Sequence, residues 1–242
     1  MSEVVKPYNQ GSKKQEVEAM FDNIAHKYDF LNHFFSLGID ILWRKRAIRM
    51  IKKFNPENIL DVATGTGDFA LLTAKHYPQV KSITGIDISE GMLEMGRKKI
   101  TERALNDKLI FKKADSENLP FEDGQFDAVT VAFGVRNFEN LEKGLSEMYR
   151  VTKSGGVVAI IEFSKPKNFP IKQLFGIYFK YIMPTIGNWL SKDNRAYTYL
   201  PESVQAFPEG KIFGDILSKI GYSKVEIISL SGGIASIYFA RK

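Results

Sequence analysis

One stretch constrains the fold more than any other: Asn58-Ile59-Leu60-Asp61-Val62-Ala63-Thr64-Gly65-Thr66-Gly67-Asp68. The apolar run Ile59-Leu60-Asp61-Val62 has the length and branching of a buried strand. Gly65 and Gly67 permit a tight turn and the close approach of a ligand to the backbone. Phe69 to Lys75 reads as a helix. A glycine turn between a strand and a helix is a nucleotide-site signal, because the helix start offers free N–H groups. Many tight turns look like this, so the residues around it decide.

From Asn58 onward strand and helix alternate. Val80 to Asp87 is the second predicted strand, followed by a helix from Ser89, its cap, to about Ala104. Leu109 to Lys113 and Phe126 to Phe133 are the third and fourth strands. A helix over Leu141 to Val151 and a turn at Gly155-Gly156 lead into the fifth, Val157 to Phe163. Such alternation implies a parallel sheet with helices on both faces and all strand C-termini on one edge. Between Ser164 and about Pro208 the rhythm lapses. A helix over Lys211 to Ile220 then precedes two strands, Lys224 to Leu230 and Ile234 to Ala240, joined as a hairpin through Ser231-Gly232-Gly233. The expected fold is α/β and doubly wound, with a mostly parallel seven-stranded sheet and a C-terminal antiparallel hairpin.

Ahead of the sheet, residues 1–14 are polar and read as a flexible tail. Residues 15–56 read as a helical cap. Within it Asp29 to Gly38 is expected as an ordered loop or short helix. Ile39 to Phe54 is expected as a basic amphipathic helix that buries Leu42, Trp43, Ala47, Met50 and Ile51, with Arg44, Lys45, Arg46, Arg49, Lys52 and Lys53 solvated. Residues 57–242 form the main domain, with an aromatic insertion at about 165–208.

Four features fall at the predicted C-terminal edge, where ligands of such sheets bind. They are Asp61 with Gly65-Thr66-Gly67; Asp87; Asp115-Ser116; and Phe133-Gly134-Val135-Arg136-Asn137. Asp87 lies about 20 residues beyond the glycine turn, where a ribose-binding acid belongs. A dinucleotide fingerprint usually has a third glycine where Ala70 stands; a triphosphate loop needs Gly-Lys-Ser/Thr, which is missing. The turn is flanked instead by Asp61 and Asp68. Acids suit a nucleoside with cationic groups, and S-adenosylmethionine carries an ammonium and a sulfonium. Any one acid also fits a helix cap or a solvated side chain; the set at one edge reads as a site. Cysteine is absent, which removes disulfides, thiolate metal sites and a cysteine nucleophile. No metal site is expected.

Ile59 to Gly67 resembles motif I of the class I S-adenosylmethionine-dependent methyltransferases, whose fold is Rossmann-like. Further blocks are more specific: Lys27-Tyr28-Asp29-Phe30-Leu31-Asn32, Ser36-Leu37-Gly38-Ile39, Leu42-Trp43-Arg44, Phe133-Gly134-Val135-Arg136-Asn137, Met148-Tyr149-Arg150-Val151 and Glu162-Phe163-Ser164-Lys165-Pro166. From about Glu18 to the C-terminus they resemble the demethylmenaquinone and ubiquinone-biosynthesis C-methyltransferases. The resemblance places Thr66 at the cofactor's methionine end, Asp87 on the ribose and Asp115-Ser116 at the adenine. Asp115 stands where the family often has Asn, so it accepts but does not donate. Ala132 stands where a cofactor-side Ser is frequent, and loses that hydroxyl contact.

The implied reaction moves a methyl group from sulfonium to a ring carbon of a reduced, prenylated demethylmenaquinol, whose ionised phenol pushes electron density onto that carbon. Arg136 is expected to stabilise the phenolate, Asn137 and Tyr28 to orient the ring, and Asp29 to take a proton. His33 is an alternative acceptor outside the family pattern. Leu174 to Met183 is aromatic and apolar and sits where such enzymes build a substrate cover. With the basic helix it is expected to face the membrane that holds the substrate, on a cytoplasmic, peripherally bound protein. The net charge of +6 also raises nucleic-acid methylation. The missing cysteine and missing Asp/Asn-Pro-Pro-Tyr signature argue against it, and no nucleic-acid partner is expected. Benzoquinol methylation, another small hydrophobic acceptor, and a non-catalytic S-adenosylmethionine sensor are the remaining readings.

Overall fold

The computed structural model describes residues 5–36, 38–178, 181 and 194–242, with the backbone alone for 27–35 and 194–197. Seven strands form one sheet: β1 (Asn58–Val62), β2 (Ser82–Asp87), β3 (Leu109–Lys113), β4 (Phe126–Ala132), β5 (Thr152–Phe163), β6 (Ser223–Leu230) and β7 (Ala235–Arg241). Their order is β3-β2-β1-β4-β5-β7-β6. The first five pair in parallel, and β7 joins β5 and β6 antiparallel. This is the doubly wound sheet with a closing hairpin that the alternation predicts.

Successive strand residues point to opposite faces, and the two cores follow that period. Ile59, Val157, Ala159 and Ile237 face α2 (Ile39–Ile51), α3 (Asp68–His76) and α4 (Glu90–Glu102). Leu60, Val158, Ile160 and Tyr238 face α5 (Leu141–Val151) and α8 (Lys211–Ile220). The hydroxyl of Ser89 caps α4 by accepting from Met92 N–H at 3.2 Å, as its sequence position suggested. β5 starts earlier than expected: Gly155-Gly156 lies within it, where the register with β4 shifts between Phe126 and Ala128.

The cap differs more. α1 (Lys13–Ser36) is one long helix that runs into the segment read as an ordered loop or short helix. It begins inside the stretch read as a flexible tail, and the residues before it are tied down. Backbone N–H groups of Tyr8, Asn9, Gln10 and Gly11 all donate to the Glu16 carboxylate, at 2.5, 2.8, 2.6 and 2.7 Å. Val17, Met20, Ile24 and Ala25 of α1 pack with Met92 of α4.

In α2 the buried face is Asp40, Trp43, Arg44, Ala47, Ile48 and Ile51, and a 3-10 turn, Lys52–Phe54, follows. Leu42 is exposed and Arg44 is buried, the reverse of the sequence expectation. Asp40, one helical turn before Arg44, forms a buried ion pair with it. Among the described residues, two helices, α6 (Ile171–Ile177) and α7 (Asn194–Ala206), lie in the aromatic insertion. Phe179, Ile182 and Met183 of the expected cover lie outside the described residues.

Candidate active site

β1 and β4 are neighbours from which the chain winds in opposite directions, the switch point at which open α/β sheets bind ligands. Both strands end in a residue with left-handed backbone, Ala63 at φ 51° and Phe133 at φ 61°. That turns the two following loops outward and against each other. A Cβ on Gly134 would lie 2.6 Å from Ala63 Cβ, so Gly134 keeps the loops in contact.

A cleft of about 700 Å³ opens there, walled by Ala63, Gly65, Asp87, Asp115, Ser116 and Asn137, among others. A smaller one of about 330 Å³, lined by Arg44, Asp61, Thr64, Thr66 and Asp68, adjoins it across Ala63, Gly65 and Ala132. Gly65 sits at φ 56°, and a Cβ there would meet nothing within 4 Å. Its backbone is therefore open to a ligand.

Asp87 holds the loop and faces the cleft. Its oxygens accept from Gly65 N–H at 2.8 Å and Ser89 N–H at 2.9 Å, and a carboxylate keeps further lone pairs for ribose hydroxyls. Asp61 accepts from the hydroxyls of Thr64 and Thr130, both at 2.6 Å. Burial pushes both carboxyls up to about 6, against the pull of these hydrogen bonds. Neither forms an ion pair among the described residues. The Arg44 charge reaches Asp61 without pairing with it, and two buried acids outside any ion pair suit a ligand that brings positive charge. Lys99 of α4 donates to Thr66 Oγ1 and Asp68 Oδ1, both at 3.0 Å, steadying the turn. Lys14 of α1 pairs with Asp115, closing the far end of the cleft.

The loop after β4 carries the second half of the site. Arg136 is buried. Its Nη1 donates to Phe133 O and to Glu162 Oε1, the latter at 3.0 Å, and its backbone N–H donates to Glu162 Oε2 at 3.3 Å. Arg136 Nε is buried with no acceptor among the described residues. Glu162 is fully buried; burial pushes its carboxyl up while the Arg136 charge opposes the shift. Asn137 lines the larger cleft, and its Oδ1 accepts from the Tyr199 hydroxyl at 3.1 Å.

A family model described as the ubiE/COQ5 methyltransferase family matches residues 9–242. The chain belongs to this ubiE/COQ5 methyltransferase family. It is 53% identical over 241 residues to the demethylmenaquinone methyltransferase of Bacteroides fragilis, spanning 99% of this chain and 98% of the relative. To that of Porphyromonas gingivalis it is 46% identical, with the same coverage. Among solved structures, a SAM-dependent methyltransferase from Thermotoga maritima, titled a possible histamine N-methyltransferase, superposes with a TM-score of 0.62. It is 20% identical, covering 93% of this chain and 99% of that one, and shows the fold.

Within this ubiE/COQ5 member, Asp61, Gly65, Thr66, Asp87, Asp115, Ser116 and Ala132 all border the two clefts. Gly67 does not; at φ 86° it starts α3 and packs under the turn. Asn137 is on the wall, whereas Arg136 stands behind it in its ion pair. Tyr28 and Asp29 lie on α1, and their side chains fall outside the described residues. Sequence reasoning missed Lys13, Lys14, Lys99 and Tyr199. Each acts across the fold, and no local pattern marks it. Arg44 had a signal, the Asp40-to-Arg44 spacing.

Proposed function

We propose that this chain transfers a methyl group from S-adenosylmethionine to a ring carbon of a reduced, prenylated demethylmenaquinol, in the last step of menaquinone biosynthesis. Family membership and the names of the Bacteroides and Porphyromonas relatives favour the naphthoquinol over a benzoquinol. The observation that carries the chemistry is the loop after β4, where a buried arginine N–H without an acceptor stands behind a cleft-facing amide.

When bound, the cofactor supplies an electrophilic methyl group, whose transfer leaves the sulfide and costs the ring carbon its proton. The protein's part is to bind, align and stabilise charge. Asp87 accepts from the ribose hydroxyls, Asp115 and Ser116 meet the adenine, and Thr66 and Asp61 face the methionine end. Arg136 and Asn137 offer N–H donors to the phenolate oxygen. Arg136 stays protonated and acts as a donor only. Tyr28 orients the ring, and Asp29 takes the proton.

A membrane-facing surface supports a prenylated substrate. Phe169, Leu174, Ile177 and Tyr181 are exposed, and α6 buries none of its residues. Ile171 at its start lies against Gly232 of the β6–β7 turn, and Trp43 of α2 donates to Ser231 of the same turn at 3.0 Å. Beside it the exposed residues Leu42, Arg46, Arg49 and Lys53 recur once per turn of helix. An apolar helix beside a basic one suits the anionic inner face of the cytoplasmic membrane.

The test is purified protein with methyl-labelled S-adenosylmethionine and chemically reduced demethylmenaquinone. Label is expected in the quinone, and none when the quinone is left oxidised. Equal labelling of a prenylated benzoquinol that lacks the ring methyl would widen the substrate class. Cofactor binding with no labelled quinone would overturn the reading in favour of a sensor.

A further inference from the structure

Asn137 stands where α1 and the insertion helix α7 meet the loop after β4. Its backbone N–H donates to Gly134 O at 2.9 Å. The carbonyls on either side of it, Arg136 and Phe138, both accept from Lys13 Nζ, at 2.8 and 2.9 Å. Its side-chain Oδ1 accepts from Tyr199. Lys13 belongs to α1 and Tyr199 to α7 of the insertion, so two elements distant in sequence grip one cleft residue.

These contacts set which way the amide points. Asn137 Nδ2 lies 3.5 Å from Phe133 O. Turning the amide over would put two acceptor oxygens against each other there. At 3.5 Å the contact is at the limit of a hydrogen bond, so Nδ2 remains available to a better acceptor. Tyr199 is buried among Val17, Met20 and Met92. Burial raises its phenol pKa above the ordinary tyrosine value, so it stays a donor at physiological pH. The amide oxygen is thereby occupied, and Asn137 offers the cleft an N–H.

We propose that Tyr199 is a positioning residue for methyl transfer, holding Oδ1 of Asn137 so that the amide N–H is presented to an oxygen of the acceptor ring. The proposal rests on the quinol reading above. It adds a selection rule: the favoured acceptor carries an anionic or carbonyl oxygen beside the carbon that is methylated. A ring without that oxygen finds no partner for the amide and leaves a buried donor unpaired, which is costly.

Tyr199→Phe tests this, because it keeps the ring among its apolar neighbours and removes only the hydroxyl. Wild-type turnover of the quinol is measured first; if there is none, the functional reading and this proposal fall together. With wild-type turnover in place, Tyr199→Phe is expected to lower kcat about tenfold, with KM and the Kd for S-adenosylhomocysteine changed less than about threefold. In an Asn137→Ala background the same substitution is expected to change nothing further, since the group it acts through is gone. In cofactor-free protein labelled with 15N, the side-chain amide signals of Asn137 are expected to shift in Tyr199→Phe while the melting temperature stays near wild type. Unchanged kcat, equal losses in both backgrounds, or a loss of melting temperature with unmoved Asn137 signals would overturn the proposal and leave Tyr199 as core packing.

Discussion

Asp61 and Asp87 are buried carboxyls outside any ion pair among the described residues, and that has consequences in pH. In the folded chain each holds its proton up to about 6, against an ordinary 3.8. Between those values the folded state binds more protons than the unfolded one, so stability falls as pH rises through the window. The cofactor-free protein is therefore expected to gain melting temperature on moving from pH 7 to pH 5, as far as these two groups contribute. Cofactor affinity runs the other way, because ribose hydroxyls and a cationic tail favour the ionised acids. Calorimetric titration with S-adenosylhomocysteine should show affinity falling below pH 6, by up to about tenfold per unit for each group involved. Asp87→Asn should bind more weakly and with a shallower slope; an unchanged slope would assign the effect to Asp61. The Arg136–Glu162 pair poses a different question, whether Arg136 acts on substrate or only on Glu162. Glu162→Gln leaves a buried guanidinium unpaired and should cost about 3–5 kcal/mol in urea unfolding. Arg136→Met combined with Glu162→Leu removes both charges and should recover most of that stability. If Arg136 stabilises the phenolate, the double variant stays at least about 100-fold slow in turnover; near wild-type turnover would reduce Arg136 to an ion-pair partner.

At the scale of elements, the missing third glycine of the β1–α3 turn has a structural counterpart. The Phe111 ring of β3 fills a slot made by three other glycines. A Cβ on Gly67, Gly85 or Gly96 would lie 2.4, 2.6 or 2.5 Å from ring carbons of Phe111. Helix propensity alone makes Gly96→Ala in α4 stabilising by about 1 kcal/mol. The ring contact and the Thr66 backbone 3.2 Å away reverse the sign. The expected result is a loss of about 1–3 kcal/mol, partly relieved by adding Phe111→Leu and measured by thermal unfolding; a stabilised Gly96→Ala protein would refute the slot. This packing also shows how far the sequence could be read. Strands β1, β3 and β4 and helices α4, α5 and α8 were legible because each carries its own period and punctuation, Ser89 and Gly221 included. Phe111 read as a strand residue, but its partners come from a loop, a strand and a helix, and no local pattern encodes them. Arg44 and Leu42 exchanged places for a related reason: a basic residue in an amphipathic helix reads as solvated until its acid is noticed one turn earlier. The clamp of Glu16 on Tyr8 to Gly11 was invisible, since four backbone donors leave no trace in side-chain pattern. The residues proposed for the cofactor fall together on the two clefts because their acids stand at strand ends. The acceptor half rested on resemblance, and its supports, Lys13 and Tyr199, are tertiary.

Taken whole, the molecule has two unlike surfaces on its cap side. Lys14, Val17 and Phe21 of α1 line the larger cleft. At another corner, α6 and the exposed face of α2 flank the β6–β7 turn, one apolar and one basic. No helix among the described residues is long and apolar enough to cross a membrane; the bilayer contact proposed above is tested at this corner. The two components of that contact are separable. Burying a leucine or isoleucine side chain is worth about 1.5–3 kcal/mol, so Leu174→Asp with Ile177→Asp should cut partitioning onto vesicles at least about tenfold whatever the lipid charge. Arg46→Glu with Arg49→Glu should act only on anionic vesicles, at about 1 kcal/mol or fivefold per charge removed, and its effect should fade as salt rises. Flotation with phosphatidylglycerol-containing and purely zwitterionic vesicles measures both. If α6 faces the bilayer, the Leu174→Asp, Ile177→Asp protein loses turnover on long-chain demethylmenaquinol in vesicles far more than on a short-chain quinol in solution. Equal losses on both would make α6 a cover over the ring, and undiminished vesicle binding would remove this corner as the membrane contact.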